Sequence, residues 1–426
     1  MEVFKKTLRG NDIVRVLAIR SFSFMMISEF FSQLAFNMQH FVLIFVIYEL
    51  TLSNTAVSGV ILSFTIPAIL FSLIGGVYVD RWNKKRVLFM TNLLRGVFLI
   101  PFFLADLHVG LIYAFTFLIA VATQFFIPAE GAIIPNLVSR SLLFPANAVF
   151  SFGIYITTLL GYILSGPVIL LLGKTNTFIF LSALFFISAF LILPMRIHRN
   201  RKITFFRSNK VPSFASETRE VLLFIRKTRK VMYALMMLTI AQAVIFMFAV
   251  LAPGYATTIL KIQLESLSWI LIAPAAVGMG IGAFILGSIG KRFNRRWLSS
   301  LGFMIAGVSF IFFPFVKNAV SDGFINSILG FFPFEITMLH IVVVMASVMG
   351  FAISLVFVPS NTTIQLETNE SMRGRIYGFL NALIGAVSFL PVILAGGLAD
   401  LLGVATVIIG FGIIMLILGF IFWAFD

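Results

Sequence analysis

Three polar residues interrupt one long apolar stretch: Glu29, Gln33 and Asn37. They follow one another at steps of four residues, which at about 100° per residue keeps them on one stripe of a helix. A carboxyl group in such a setting can take up and release a proton, and two amides beside it can hydrogen-bond a ligand. The alternative is a structural network of hydrogen bonds between helices, which the same side chains also form.

Other polar or aromatic side chains lie singly in apolar stretches and could contact the same ligand: Tyr155, Thr158, Tyr162, Gln242, Asn381 and Ser388. Arg95 and Glu130 are a further charged couple. We predict that these two form a structural ion pair near the cytoplasmic ends of their helices, with a ligand site as the alternative. The chain has no cysteine and its four histidines are far apart, so the sequence predicts neither a metal site nor a cofactor.

The composition indicates which solvent surrounds these side chains. Of the 426 residues, 60% are hydrophobic and only 11% are charged, and the mean hydropathy is +1.07. Soluble domains average roughly 45–50% apolar and about 25% charged residues. The chain is therefore neither a soluble enzyme nor a disordered protein.

A helix that crosses a bilayer needs about 20 largely apolar residues. The sequence contains twelve such stretches, at residues 21–48, 57–79, 87–107, 109–127, 142–172, 175–195, 231–255, 267–289, 297–316, 336–358, 376–398 and 404–425. We therefore predict an all-α polytopic membrane protein with twelve transmembrane helices.

The 31 lysine and arginine residues are concentrated in the loops on the side of the two termini. The opposite side has only Lys174, Lys261 and Lys317. The positive-inside rule then predicts that both termini are cytoplasmic. The basic loops would also contact anionic lipid head groups, so the net charge of +15 does not require a nucleic-acid partner.

The longest polar interval, residues 196–230, divides the chain into two halves of six spans. We predict an amino-terminal bundle over residues 1–195, a cytoplasmic linker over 196–230 with an interfacial helix near 214–225, and a carboxy-terminal bundle over 231–426. The loop at residues 76–85 returns at 287–296, an offset of 211 residues. Parallel repeats of this kind predict two related bundles with a binding cavity between them.

The first copy of this loop contains Gly76, the acid Asp80 and three cations, Arg81, Lys84 and Lys85. An acid at a helix end can accept hydrogen bonds from the start of a neighbouring helix and can pair with arginine. We predict that Asp80 latches onto Arg373 and Arg375 at the start of span eleven and holds the cytoplasmic side closed. The alternative is that the cations only set the topology.

The pattern Gly76-xxx-Asp80-Arg81-x-Asn83-Lys84-Lys85 resembles the signature loop of the major facilitator superfamily, and the likeness extends over the whole chain. Shorter pieces resemble the macrolide-efflux and enterobactin-exporter branch: residues 126–135, 145–148, 358–361 and 373–375. The resemblance implies a secondary exporter in the bacterial cytoplasmic membrane, driven by protons and moving amphipathic small molecules.

Two rival functions stay open from the sequence. A lipid or lysolipid flippase of the same fold would also use spans that are rich in phenylalanine. A non-transporting sensor or a membrane-embedded enzyme would need clustered catalytic groups or a soluble domain, and the sequence has neither. We expect a monomer whose partners are lipids, protons and a small-molecule substrate.

The topology can be tested by labelling single cysteines, because the natural chain has none. We expect a cysteine at position 174 to react with an impermeant maleimide in intact cells. A cysteine at position 209, in the linker, should react only after the membrane is permeabilised. Ready labelling at position 209 in intact cells would contradict cytoplasmic termini.

Overall fold

The computed structural model describes residues 12–104, 108–196, 214–289, 293–316 and 337–424, and in these ranges the regular secondary structure is helical throughout. We number the α-helices in chain order: α1 Asp12–Leu17, α2 Arg20–Thr51, α3 Asn54–Arg81, α4 Lys84–Leu99, α5 Pro101–Leu104, α6 Val109–Leu137, α7 Leu143–Ile192, α8 Phe214–Lys227, α9 Arg229–Gly254, α10 Ala273–Ile289, α11 Arg295–Phe312, α12 Met338–Glu367, α13 Glu370–Leu402 and α14 Val404–Ala424. Short 3-10 and π turns connect several of them.

Eleven helical segments of the described chain are long and apolar enough to cross a membrane. One of them contains α7, whose 50 residues include Gly173 with φ 73° and ψ 162°. This backbone conformation is not helical, so α7 consists of two stretches that meet at a kink. The prediction of an all-helical polytopic protein is confirmed, while the count of twelve and the cytoplasmic termini stay predictions.

The chain divides into two compact units. The first comprises residues 1–43 and 63–211, and the second comprises residues 44–62 and 212–426. The hairpin between α2 and α3 therefore belongs to the second unit, although both helices continue into the first. The bundle boundaries expected at the 196–230 linker remain a prediction.

Each copy of the repeated loop contains an asparagine that caps the helix after it. Asn83 precedes α4, and its side-chain oxygen accepts hydrogen bonds from the backbone amides of Lys85 (3.1 Å) and Arg86 (3.3 Å). Asn294 precedes α11 and accepts one from the amide of Arg296 at 3.0 Å. Asparagine is a favoured residue at this position, because it satisfies amides that have no partner within the helix. The two copies of the motif thus begin corresponding helices.

Small residues allow close helix contacts in the second unit. A Cβ atom added to Gly278 of α10 would lie 1.8 Å from the backbone oxygen of Ser347 in α12. One added to Gly350 of α12 would lie 1.7 Å from the backbone oxygen of Ala275 in α10. The two backbones therefore touch at both glycines, and dispersion contacts of this kind hold membrane helices together.

The linker helix α8 packs onto the second unit. Val221 and Ile225 are buried in a cluster with apolar residues of α9, α12 and α13. Its Glu220 also forms a 2.9 Å ion pair with Arg375 of α13. The helix expected near residues 214–225 is present as Phe214–Lys227, and its position at the membrane interface stays a prediction.

We predict that Gly278→Ala lowers stability by about 1–3 kcal/mol, because the new methyl group must push α10 away from α12. Gly280→Ala is the matched control in the same helix, since a Cβ atom there meets nothing within 4 Å. Alanine favours a helix over glycine, so the control should lose no stability. Thermal unfolding in detergent compares the two variants, and equal melting temperatures would show that the close contact contributes nothing.

Candidate functional site

Three ionisable side chains of the first unit meet in its interior: Glu29 of α2, Arg95 of α4 and Glu130 of α6. Their exposed fractions are 4%, 1% and 4%. The carboxyl groups of Glu29 and Glu130 lie within hydrogen-bonding range of each other, and the charge of Arg95 acts on both. One carboxyl oxygen of each glutamate is buried without a hydrogen-bond partner in the described chain.

A hydrogen bond between two carboxyl groups requires a proton on one of them, because ionised carboxylates can only accept. With one shared proton, the pair carries a single negative charge, which balances the positive charge of Arg95. Loss of that proton would leave two negative charges in contact in an apolar interior, which is unfavourable. The arrangement can therefore hold a proton between α2 and α6.

The buried guanidinium of Arg95 is held by polar and aromatic contacts. Its Nη1 donates to Ser32 Oγ at 3.2 Å and to Asn92 Oδ1 at 3.3 Å. Its central carbon lies 4.1 Å from the ring centroid of Phe126, within the range of a cation–π interaction. Its Nε atom is buried without a hydrogen-bond partner in the described chain.

The hydrogen bonds continue from Arg95 across three helices. Ser32 Oγ donates to Asn92 Oδ1 at 2.9 Å, and Asn92 Nδ2 donates to Ser188 Oγ at 2.9 Å. Ser28 in turn lies 2.9 Å from the Ser188 hydroxyl. These contacts join α2, α4 and α7 through buried side chains and fix the orientation of Arg95.

The predicted ion pair between Arg95 and Glu130 is not a direct contact. Among the described residues, the ion pairs of 4 Å or less do not include it. Arg95 lies eleven residues beyond the start of α4, about 16 Å along the axis, and not near the start of that helix. Glu130 lies within hydrogen-bonding range of Glu29 instead, so the two groups that we separated on the sequence form one cluster.

The remaining residues of the predicted stripe connect to this cluster. The side chain of Gln33 lies close enough to the carboxyl of Glu29 to interact with it. Asn37 Nδ2 donates to the backbone oxygen of Gln33 at 2.7 Å and to Thr158 Oγ1 of α7 at 3.4 Å. The stripe therefore contacts the neighbouring helices α6 and α7 as well as its own.

The other ligand candidates differ in their exposure. Tyr155 is 75% exposed and Tyr162 is partly buried, both in the first unit. Gln242 is partly buried and Asn381 is exposed in the second unit. A shared ligand site for these residues stays a prediction.

The predicted cytoplasmic latch is described only in part, because the side chains of Asp80, Arg81 and Arg373 lie outside the described residues. Lys85 Nζ donates to the backbone oxygens of Leu193 (2.7 Å) and Met195 (2.8 Å). It thus fixes the end of α7 to the start of α4. Gly76 and Lys84 are both partly exposed.

Arg375, the other predicted partner of the latch, forms an ion pair with the linker helix. Its Nη1 forms a 2.9 Å ion pair with Glu220 Oε2 of the linker helix. The exposed fractions of the Arg375 and Glu220 side chains are 39% and 60%. The cation that the sequence assigns to Asp80 is thus also a partner of the linker helix.

Sequence reasoning missed Asn92 and the three serines of the network. Asn92 precedes Arg95 by three residues, so the two share a helix face, and this spacing was a usable signal. The serines offer no comparable signal, since a serine in a membrane helix commonly bonds its own backbone. Only the packing of α2 against α4 and α7 selects Ser28, Ser32 and Ser188.

The second unit contains a separate apolar cavity of about 180 Å³. It is lined by side chains of α9 to α12 and α14, and all of its lining residues are apolar. Aromatic and methionine side chains are prominent among them: Phe248, Phe303, Phe310, Phe313, Met349 and Met415.

Two relatives have similar sequences over most of the chain. The multidrug efflux pump Tap of Mycolicibacterium fortuitum is 24% identical over 372 residues, covering 83% of each chain. The MFS-type transporter YfmI of Bacillus subtilis (strain 168) is 24% identical over 402 residues, covering 92% of each chain.

Solved structures show the same fold. A bacterial homologue of the human lysosomal transporter Spinster gives a TM-score of 0.71 at 13% identity, covering 95% of this chain and 96% of that one. The nucleoside transporter NupG gives 0.67 at 14% identity, covering 94% and 98%. The model of the Major Facilitator Superfamily matches residues 25–338. The resemblance of the 76–85 loop is confirmed: the chain belongs to the Major Facilitator Superfamily and is a multi-pass membrane transporter.

Proposed function

We propose that this transporter exports a hydrophobic or amphipathic small molecule from a bacterial cell in exchange for protons, with Glu29 and Glu130 as the proton-binding pair. The observation that carries the proposal is that two buried carboxyl groups lie within hydrogen-bonding range of each other beside the buried Arg95. A pair of this kind can exist with one proton or with two, and each state has a different net charge.

Export is supported by the efflux pump Tap, whose sequence is similar over most of the chain. A hydrophobic substrate class is supported by the many phenylalanines, 51 in all, and by the apolar cavity of the second unit. Phenylalanine and methionine side chains can pack against hydrophobic ligands of varied shape. Substrates with several charges would find no partner in that cavity.

The coupling would follow from competition at the carboxyl pair. Loss of a proton toward the cytoplasm would change the cluster of Glu29, Glu130 and Arg95 from a net positive charge to neutrality, so that a cationic or hydrogen-bonding substrate could be held through Gln33 and Asn37. Uptake of a proton from outside would restore the positive charge and release the substrate. Each proton that enters supplies about 2.3 kcal/mol per 100 mV, which is enough to concentrate a neutral substrate several tens of fold.

We expect Glu29→Gln to abolish efflux driven by a proton gradient. Glutamine can still hydrogen-bond Glu130 but cannot release a proton, so the fold should persist while coupling is lost. The measurement is efflux of a fluorescent drug substrate from proteoliposomes with an imposed pH gradient. Substrate affinity of the variant should become nearly independent of pH.

The control is Glu367→Gln, which makes the same change at an exposed 2.9 Å ion pair with Lys230. Such surface pairs contribute little, so coupled efflux should survive. Glu130→Gln should match Glu29→Gln, and the double variant should be no worse than either, because the two groups act as one unit. Efflux by Glu29→Gln with normal sensitivity to an uncoupler would assign the cluster a purely structural role.

The second proposal is that Asp80 latches the cytoplasmic side, in competition with the ion pair between Glu220 and Arg375. Asp80→Asn should lengthen the distance between spin labels at positions 86 and 374, because it weakens the latch. Glu220→Gln releases Arg375 and should shorten that distance.

Both shifts should be small, since exposed ion pairs contribute about 0.2–1 kcal/mol. Position 374 accepts a label, because a Cβ atom at Gly374 meets nothing within 4 Å. Shifts of the same sign in the two variants, or no shift in either, would rule out the competition.

A further inference from the structure

Asp400, near the end of α13, is engaged by the hairpin that joins α2 to α3. These residues belong to opposite halves of the sequence but to the same compact unit, which comprises residues 44–62 and 212–426. The topology expected from the basic loops places both segments on the outer side. None of the roles assigned above involves them.

The first four backbone amides of α3 are all hydrogen-bonded, two of them by Asp400. The amide of Asn54 donates to Asp400 Oδ1 at 2.8 Å and that of Thr55 donates to Oδ2 at 2.9 Å. The amide of Ala56 donates to Ser53 Oγ at 3.2 Å, and that of Val57 donates to the Ser53 carbonyl at 3.4 Å. A helix start normally finds such acceptors in its own preceding residues, whereas half of these come from a residue about 345 positions away.

The hairpin's side chains close around the same carboxylate. Ser53 Oγ and Thr55 Oγ1 each donate to Asp400 Oδ2 at 2.7 Å, and Asn54 Nδ2 donates to Oδ1 at 2.9 Å. Asp400 thus accepts five hydrogen bonds from three consecutive residues. Bonds to an ionised acceptor are about twice as strong as neutral ones.

The backbone of α13 is shaped to receive the hairpin. A Cβ atom at Gly396 would lie 2.6 Å from the backbone oxygen of Asn54, so only glycine fits there. Ser58 Oγ donates to the backbone oxygen of Val392 at 2.7 Å. The contact therefore extends over two turns of α13.

We propose that Asp400 is an outer-side latch, which holds the hairpin between α2 and α3 against α13 and must release it in each transport cycle. Alternating access requires that the outer ends of the two halves of the chain separate. The hairpin is continuous at both ends with helices of the first unit, so movement of that unit pulls on it. The inference rests on the alternating-access transport proposed above.

The alternative is that Asp400 only caps α3. A variant in which another residue caps α3 separates this role from that of holding the hairpin to α13. Asp400→Ala removes the acceptor, and Ser53→Asp in the same chain restores a capping carboxylate locally. The double variant can stabilise α3 but lacks the five hydrogen bonds to Asp400 and holds the hairpin to α13 only by the weaker contacts at Val392 and Gly396.

The readouts are the melting temperature and the distance between spin labels on cysteines at positions 52 and 401. Leu52 and Leu401 are 73% and 82% exposed, and the chain has no other cysteine. Asp400→Ala should lower the melting temperature and shift the ratio of docked to undocked hairpin by about tenfold or more, as expected for bonds to a charged group. Adding Ser53→Asp should restore the melting temperature, while the longer label distance of the undocked hairpin should persist.

Glu265→Gln, in the Leu264–Ser266 turn, is the control for removing a carboxylate from another loop expected on the outer side, and should leave the distance unchanged. An unchanged distance in Asp400→Ala, or recovery of the short distance with Ser53→Asp, would overturn the latch. The distance is measured without substrate and without a proton gradient. A failure of the proton-exchange proposal in the Glu29→Gln assay would therefore leave this result independent.

Discussion

A guanidinium buried in an apolar helix bundle is the constraint that organises the interior of the first unit. Arg95 is 1% exposed, and an isolated charge in such surroundings is strongly unfavourable. Arg95 is stabilised by the carboxyl pair of Glu29 and Glu130, by hydroxyl and amide acceptors, and by the ring of Phe126. Each of these partners comes from a different position in the chain, so α2, α4 and α6 must pack correctly for any of them to be satisfied.

The same constraint explains how the proton site that we propose can coincide with a structural network. One proton on the carboxyl pair makes the cluster neutral, so the bundle tolerates it in an apolar interior. Any change in that protonation changes the net charge in the interior and strains its surroundings. A group that is buried for stability is thereby also able to drive a change of conformation, which is the property that proton-driven transport needs.

Backbone amides at the start of a helix also need hydrogen-bond acceptors, and in this chain the acceptors are of two kinds. Asn83 and Asn294 cap α4 and α11 from the residue just before each helix, so both caps are local. The start of α3 instead shares its amides between Ser53 and the distant Asp400. A local cap stabilises one helix wherever that helix moves, whereas a distant cap also ties the helix to a partner.

The sequence by itself determined the class of protein, the helical segments and the repeated capping asparagines, because these depend on composition and on neighbours within one or two turns. It also marked Glu29, Gln33 and Asn37 as one stripe, since helical spacing alone decides that. It did not reveal that Glu130 lies beside Glu29 and makes no direct ion pair with Arg95, and it gave no sign of Asp400. Glu29 and Glu130 are about 100 positions apart, and the hairpin lies about 345 positions from Asp400. Contacts over such separations follow from how helices pack, which only the tertiary structure decides.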